Sequence, residues 1–301
     1  MATTVLVPHH MGVTALAHLP DVRVLPYRPG DLPPGAHTAR VLIPEIHVDL
    51  VELAHTLPDL RLVQLLTSGA DGWIGRLPEG VLLSNARGAH GAGVAEWVLG
   101  ALITLYREFP AFARHRQEQR WNTHPTDTLY HKRILILGAG DLARALTDVL
   151  APFRTAITLV GRTARTGVHG VNELTELLPH HDVVVLAVPL TEHTRGLIDT
   201  ATLARMPDGA ILVNVARGPI VDTDALVAEL DSHRLRAAVD VTDPEPLPPH
   251  HRLWYAPGLL LTPHTAGTSS HNARSAYAVA ATQIEHFLAG RPLDNIVDGR
   301  Y

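Results

Sequence analysis

Residues 134–143 read Ile134-Leu135-Ile136-Leu137-Gly138-Ala139-Gly140-Asp141-Leu142-Ala143. Four consecutive apolar residues have the pattern of a short strand buried on both faces, as in a parallel sheet covered by helices. Two glycines end the run, and apolar residues at helical spacing follow as far as Leu150. Strand, glycine turn and helix form the opening of a βαβ unit. The bare pattern Gly-x-Gly-x-x-Ala is weak and fits an ordinary glycine-rich turn. In this context it also fits a dinucleotide fingerprint, in which glycine lets the backbone approach a pyrophosphate and the helix N-terminus meets its charge. Gly138, Gly140, Asp141 and Leu142 are therefore expected to contact a cofactor.

The same rhythm extends outward. Further strands are expected at 157–160, 183–188, 210–215, 237–241 and 259–262, with helices at 142–150, 173–178, 200–206 and 222–231. A proline-rich loop covers 244–249, and a final helix spans 273–288. Upstream, apolar runs at 5–7, 22–25, 41–43, 60–66 and 81–83, with a helix at 48–55, read as a smaller parallel α/β domain. One long helix is expected from 93 to 119. The expected organisation is a domain of residues 1–93 completed by 268–301, and a second of residues 94–267.

The end of the second strand selects the cofactor. An NAD site usually carries an acid there to accept the ribose hydroxyls. Here the strand runs into Gly161-Arg162-Thr163-Ala164-Arg165, and no acid occurs before Glu173. Arg162 and Arg165 suit a 2′-phosphate and Thr163 can donate a hydrogen bond to it, so NADP(H) is expected, with NAD(H) as the alternative.

Three later segments place ionisable residues just beyond apolar runs: Asn214-Val215-Ala216-Arg217-Gly218, Asp240-Val241-Thr242-Asp243-Pro244-Glu245-Pro246 and Pro263-His264-Thr265-Ala266-Gly267. Taken singly, His264 reads as a satisfied histidine at a strand end, and Arg217 and Glu245 as structural ion pairs. Together at strand C-termini, where such sheets bind ligands, they supply a cation for an anionic substrate and a proton donor beside a carboxylate. With 189–198 (Pro189 to Ile198), Ser68-Gly69-Ala70-Asp71 and 85–96, these segments resemble the D-isomer-specific 2-hydroxyacid dehydrogenase family over most of the chain.

That resemblance implies an α/β fold of two Rossmann-like domains with parallel sheets, an active site in the interdomain cleft, and a homodimer. It implies NAD(P)-dependent interconversion of 2-oxo acids and D-2-hydroxy acids, as in glyoxylate/hydroxypyruvate reductases. Arg217 matches the family's substrate arginine, Glu245 its catalytic glutamate and His264 its acid/base histidine. Asp240 matches the aspartate that contacts the nicotinamide carboxamide, although it could equally cap the following turn. Pro189 and Ala216, with Arg217, wall the nicotinamide side. Ser68 and the amides of Gly69 and Ala70 match the loop that holds the substrate carboxylate. Glu96 matches the start of the Val-Ala-Glu helix, beside Arg87 and His90. Formate dehydrogenases of the family carry glutamine where Glu245 stands, which disfavours formate oxidation. Phosphite oxidation and a nucleotide-sensing corepressor role are the alternatives that the family leaves open.

Composition excludes other chemistries. Among 301 residues there is no cysteine, so there is no thiolate nucleophile and no cysteine-bound metal. Lys132 is the single lysine and has no glycine-rich loop before it, so no P-loop is present. A net charge of −5 without a basic patch argues against nucleic acid. No apolar stretch is long enough to span a bilayer, and the N-terminus carries no basic or long apolar leader, so a cytoplasmic location is expected. The 20 histidines show no metal-ligand spacing, and His9, His10, His180 and His250 read as solvated loop residues. Core packing is the default for Trp73, Trp121 and Trp254.

Overall fold

The structure, a computed structural model, describes residues 2–46 and 48–298. Met1, His47 and residues 299–301, which close the segment expected to complete the first domain, lie outside the described residues. The chain divides into two compact units, Met1–His90 with Ser269–Tyr301, and Gly91–Thr268.

The first unit carries β1 (Thr3–Val7), β2 (Val22–Pro26), β3 (Ala39–Leu42), β4 (Leu62–Gln64) and β5 (Leu82–Ser84). They form a parallel sheet in the order β2-β1-β3-β4-β5. Successive side chains of a strand point to opposite faces. Val5 and Val7 pack with Ala276, Tyr277, Ala280 and Ile284 of helix α9 (Ser270–Leu288). Leu6 packs on the other face with Ala54 of α2 (Val51–Thr56).

The second unit is a parallel sheet of β6 (Arg133–Leu137), β7 (Ala156–Gly161), β8 (His169–Gly170), β9 (Val183–Leu186), β10 (Ile211–Asn214), β11 (Arg236–Val239) and β12 (Leu259–Leu261). Its order is β12-β11-β10-β9-β6-β7-β8. The order reverses between β6 and β9, which marks the switch point where such sheets bind ligands. Leu135, Leu137, Val184 and Leu212 face Leu226 and Leu230 of α8 (Thr223–Asp231), which follows the short helices α6 (Leu174–Leu177) and α7 (Thr200–Leu203). Ile134, Ile136, Val185 and Val213 face Val98 and Leu102 of α3 (Gly91–Tyr106) and Leu146 of α5 (Asp141–Leu150). Both faces are covered, which is why these strands read as unbroken apolar runs.

Three expectations are corrected. The single helix expected over 93–119 is two, α3 and α4 (Phe109–Gln117). Glu108 takes φ +53 between them, and Pro110 sits in the first turn of α4, where a missing N–H costs nothing. His10 is exposed but not in a loop, because it opens α1 (His10–Leu16); His9 is exposed in the bend before it, with Nδ1 3.0 Å from the Tyr277 hydroxyl. Trp121 and Trp254 are not core; they are 97% and 51% exposed.

His181, just before β9, is buried with both ring nitrogens engaged. Nδ1 lies 2.8 Å from the Leu177 carbonyl and Nε2 lies 2.8 Å from the Thr158 hydroxyl. A neutral ring satisfies both contacts, donating at Nδ1 and accepting at Nε2. Burial holds its pKa below the ordinary 6.5. The unfolded chain therefore takes up the proton first. This contribution to stability is complete above pH 6.5 and is lost as pH falls towards the depressed native value. Thermal midpoints of the wild type should decline from pH 7 to pH 5, and His181→Gln should flatten that slope. Parallel slopes would assign the decline to other groups.

Candidate active site

The three proposed catalytic residues follow the C-terminal ends of three adjacent strands of the second unit: Arg217 after β10, Glu245 after β11 and His264 after β12. The turn after β10 is held by Asn214, whose Oδ1 accepts from Ala216 N (3.0 Å) and whose Nδ2 donates to the Arg217 carbonyl (3.0 Å). Asn214 is buried, so this clamp is shielded from competing water. Arg217 Nη1 donates to the Ala216 carbonyl at 2.7 Å. At Gly218 a Cβ would collide with the Thr242 carbonyl group and with Asp243 N. Glycine there lets the arginine turn press directly on the backbone that leads into Glu245.

His264 and Glu245 are in contact. Nδ1–H donates to Glu245 Oε1 at 2.6 Å, the short length of a charge-assisted bond. Both side chains keep about a third of their surface exposed, 32% and 38%. His264 takes φ +55, the left-handed region, which costs a non-glycine residue about 1–2 kcal/mol. The buried Asp240 carboxylate holds the turn around it. Oδ1 accepts from the Thr262 hydroxyl (2.6 Å) and Thr265 N (2.7 Å), and Oδ2 accepts from Ala266 N (2.9 Å). The Asp240 carbonyl in addition accepts from His264 N at 2.7 Å. The sequence offered Asp240 a cap of the turn that follows it; its carboxylate instead holds the turn after β12, 22 to 26 positions further on.

The residues proposed for the cofactor follow the C-terminal ends of β6, β7, β9, β10 and β11, on either side of the switch point. Gly138 has φ +129, and a Cβ there would strike the Ala187 carbonyl, so the turn requires glycine. Gly140 is exposed, caps α5, and has nothing within 4 Å of where its Cβ would stand. Asp141 and Leu142 open that helix. An open glycine at a helix N-terminus is a cradle that a pyrophosphate fits. Arg165 reaches back across the turn, Nη2 lying 3.5 Å from the Ala139 carbonyl. Arg162 and Thr163 are exposed in the same loop. Pro189 follows β9, and its carbonyl accepts from the Thr194 hydroxyl at 2.7 Å; Ala216 is buried in the β10 turn.

In the first unit, Ser68, Gly69 and Ala70 form the turn after β4. Thr67 Oγ1 donates to the Gly69 carbonyl (2.7 Å), and the Ser68 carbonyl accepts from Asn85 Nδ2 (2.8 Å). His90 Nε2 lies 2.8 Å from the Leu66 carbonyl, and Arg87 Nη2 donates to the Asp294 carbonyl (2.7 Å). Glu96 is exposed on α3. Among the described residues no group of three or more His, Cys, Asp or Glu could hold a metal, and no helix is long and apolar enough to cross a membrane.

Residues 99–266 match the sequence model of the D-isomer specific 2-hydroxyacid dehydrogenase, NAD binding domain. The chain belongs to this dehydrogenase family. It is 30% identical over 233 residues to the chloroplastic/mitochondrial formate dehydrogenase of Arabidopsis thaliana, covering 72% of this chain and 60% of that protein. The structure superposes on a D-isomer specific 2-hydroxyacid dehydrogenase from Xanthobacter autotrophicus Py2 solved with NADPH and MES. The TM-score is 0.84 at 30% identity, covering 99% of this chain and 98% of that one. It also superposes on the NADPH-dependent glyoxylate/hydroxypyruvate reductase of Sinorhizobium meliloti solved with NADP and sulfate. Here the TM-score is 0.81 at 25% identity, again covering 99% and 98%. As a member of this family the chain is an NAD(P)-binding oxidoreductase acting on 2-oxo and 2-hydroxy acids.

Proposed function

We propose that the protein is an NADPH-dependent reductase of 2-oxo acids yielding D-2-hydroxy acids, with Arg217, Glu245 and His264 as its catalytic residues. The observation that carries this reading is the 2.6 Å bond between His264 Nδ1 and Glu245 Oε1 on a strand edge shared with Arg217. The guanidinium of Arg217 pairs with the substrate carboxylate and polarises the adjacent carbonyl. Within the first unit, Ser68 and the backbone amides of Gly69 and Ala70 are the groups proposed to receive a substrate carboxylate. The reduced nicotinamide, when bound, supplies the hydride. Glu245 fixes the orientation of the imidazole through Nδ1, so that Nε2 is the nitrogen presented to give a proton to the nascent alkoxide.

The cofactor is held by Gly138, Gly140, Asp141 and Leu142 at the pyrophosphate, and by Arg162, Thr163 and Arg165 at the 2′-phosphate. Pro189, Ala216 and Asp240 lie towards the nicotinamide. Two structural relatives were solved with NADPH or NADP, which supports the same preference here. Tighter binding of NADPH than NADH is expected. Arg162→Ala and Arg165→Ala should each narrow the gap by weakening NADPH alone, as titration of cofactor fluorescence will show. Equal or better binding of NADH by the wild type would end the NADP assignment.

The working form is a cytoplasmic homodimer. The 97% exposure of Trp121 and 52% exposure of Phe109 leave aromatic surface for a second copy to cover. Trp121→Ala should shift the molecule towards monomer in sedimentation experiments, and an unshifted dimer would place the interface elsewhere.

A further inference from the structure

The order β2-β1-β3-β4-β5 gives the first unit a switch point of its own, between β1 and β3. In open α/β sheets the crevice beyond the strand C-termini at such a point is where ligands sit. The residues there are His9, two positions past β1, and Glu45, three past β3. His9 Nε2 lies 3.9 Å from Glu45 Oε1, with side chains 46% and 36% exposed. That separation is an ion-pair distance but too long for a hydrogen bond. His9 is held from behind: its Nδ1 lies 3.0 Å from the hydroxyl of Tyr277, a buried residue of α9. Burial raises the pKa of that phenol, so it keeps its proton and can donate to Nδ1. In that arrangement the Nε2–H is directed to the Glu45 side. The sequence gives no hint of this cluster, and nothing in the mechanism above uses it.

A donor and an acceptor set apart beyond the strand C-termini match a group that can accept and donate at once. A hydroxyl does both: it accepts from Nε2–H and donates to the carboxylate. A second carboxylate would be repelled by Glu45, an ammonium would find no acceptor on the Nε2–H side, and an alkyl group would leave both polar groups unsatisfied. The location fits a substrate as well. β3 is the immediate neighbour of β4, whose loop carries Gly69 and Ala70, and neighbouring strands lie about 4.8 Å apart. With its carboxylate on the β4 loop, a three-carbon acid can direct its C3 hydroxyl towards the end of the neighbouring strand β3.

We propose that His9 and Glu45, oriented by Tyr277, form the subsite for the third carbon of the substrate and select 2-oxo acids that bear a hydroxyl there. This rests on the 2-oxo acid reading given above. The test is the kcat/KM for glyoxylate, pyruvate and hydroxypyruvate with NADPH, measured on the wild type, Glu45→Gln and His9→Asn. Glyoxylate has no third carbon and reports the intact reaction. The asparagine amide can keep the contact near Nδ1 while removing Nε2, which guards the fold. The wild type should prefer hydroxypyruvate to pyruvate, and each variant should lower that ratio about tenfold or more, the scale of a hydrogen bond to a charged group. Glyoxylate should stay within about twofold. Variants that lose activity equally on glyoxylate and hydroxypyruvate, or leave the ratio unchanged, overturn the subsite while the parent reading stands. A wild type that reduces none of the three overturns both.

Discussion

Replacing His264 by alanine should lower kcat by about a hundred- to ten-thousand-fold, the usual worth of a positioned general acid. Affinity for NADPH should hardly change, because no residue proposed for the phosphates lies in the His264 turn. The structural basis is the short bond from Nδ1–H to Glu245, which fixes the ring; in the proposed role it is Nε2 that gives the proton. Glu245→Gln should fall between wild type and His264→Ala, since an amide oxygen can still accept from Nδ1–H but makes a weaker bond than the carboxylate and holds the ring less firmly. Steady-state kinetics with a fixed 2-oxo acid will check both variants. A loss at His264→Ala smaller than a few-fold, about 1 kcal/mol or less of transition-state stabilisation, would remove His264 from the role of acid.

Arg217→Lys should raise KM and lower kcat together. Lysine keeps the charge but loses the planar fork that pairs with a carboxylate through two parallel hydrogen bonds. If the guanidinium holds the ground-state carboxylate and also polarises the carbonyl as charge develops, both parameters must move. Loss of a donor aimed at developing charge typically costs about a hundred- to a thousandfold in kcat. The methyl ester of the same 2-oxo acid should be a poor substrate for the wild type, because it removes the charge that Arg217 pairs with. Comparable efficiency on acid and ester, or an unimpaired lysine variant, would detach Arg217 from the carboxylate.

The second unit's sheet was legible because its strands are covered on both faces. Val183–Leu186 and Ile211–Asn214 are buried throughout, and complete burial leaves an unbroken apolar run in the sequence. The split between α3 and α4 was obscured by apolar residues that keep helical spacing past Tyr106, although Pro110 was the local signal for a new helix start. Strand β8, only His169–Gly170, is too short to show any period. At the site, residue types and their positions after strands could be read directly, whereas their support could not. Asp240 reaches partners 22 to 26 positions away, and His9 meets Tyr277 across 268 positions. Such contacts exist only once the sheet order is set. The clamp by Asn214 is local, and a buried Asn two and three positions before the residues it bonds is a turn signal that sequence reading can use.

The most direct test of the central claim is incubation of the protein with NADPH and a panel of 2-oxo acids, following absorbance of the reduced nicotinamide and resolving the product on a chiral column. NADPH should be consumed in equal measure with the 2-oxo acid, and each chiral product should be the D-2-hydroxy acid. No consumption of NADPH across the panel, or an L-product, would contradict that claim.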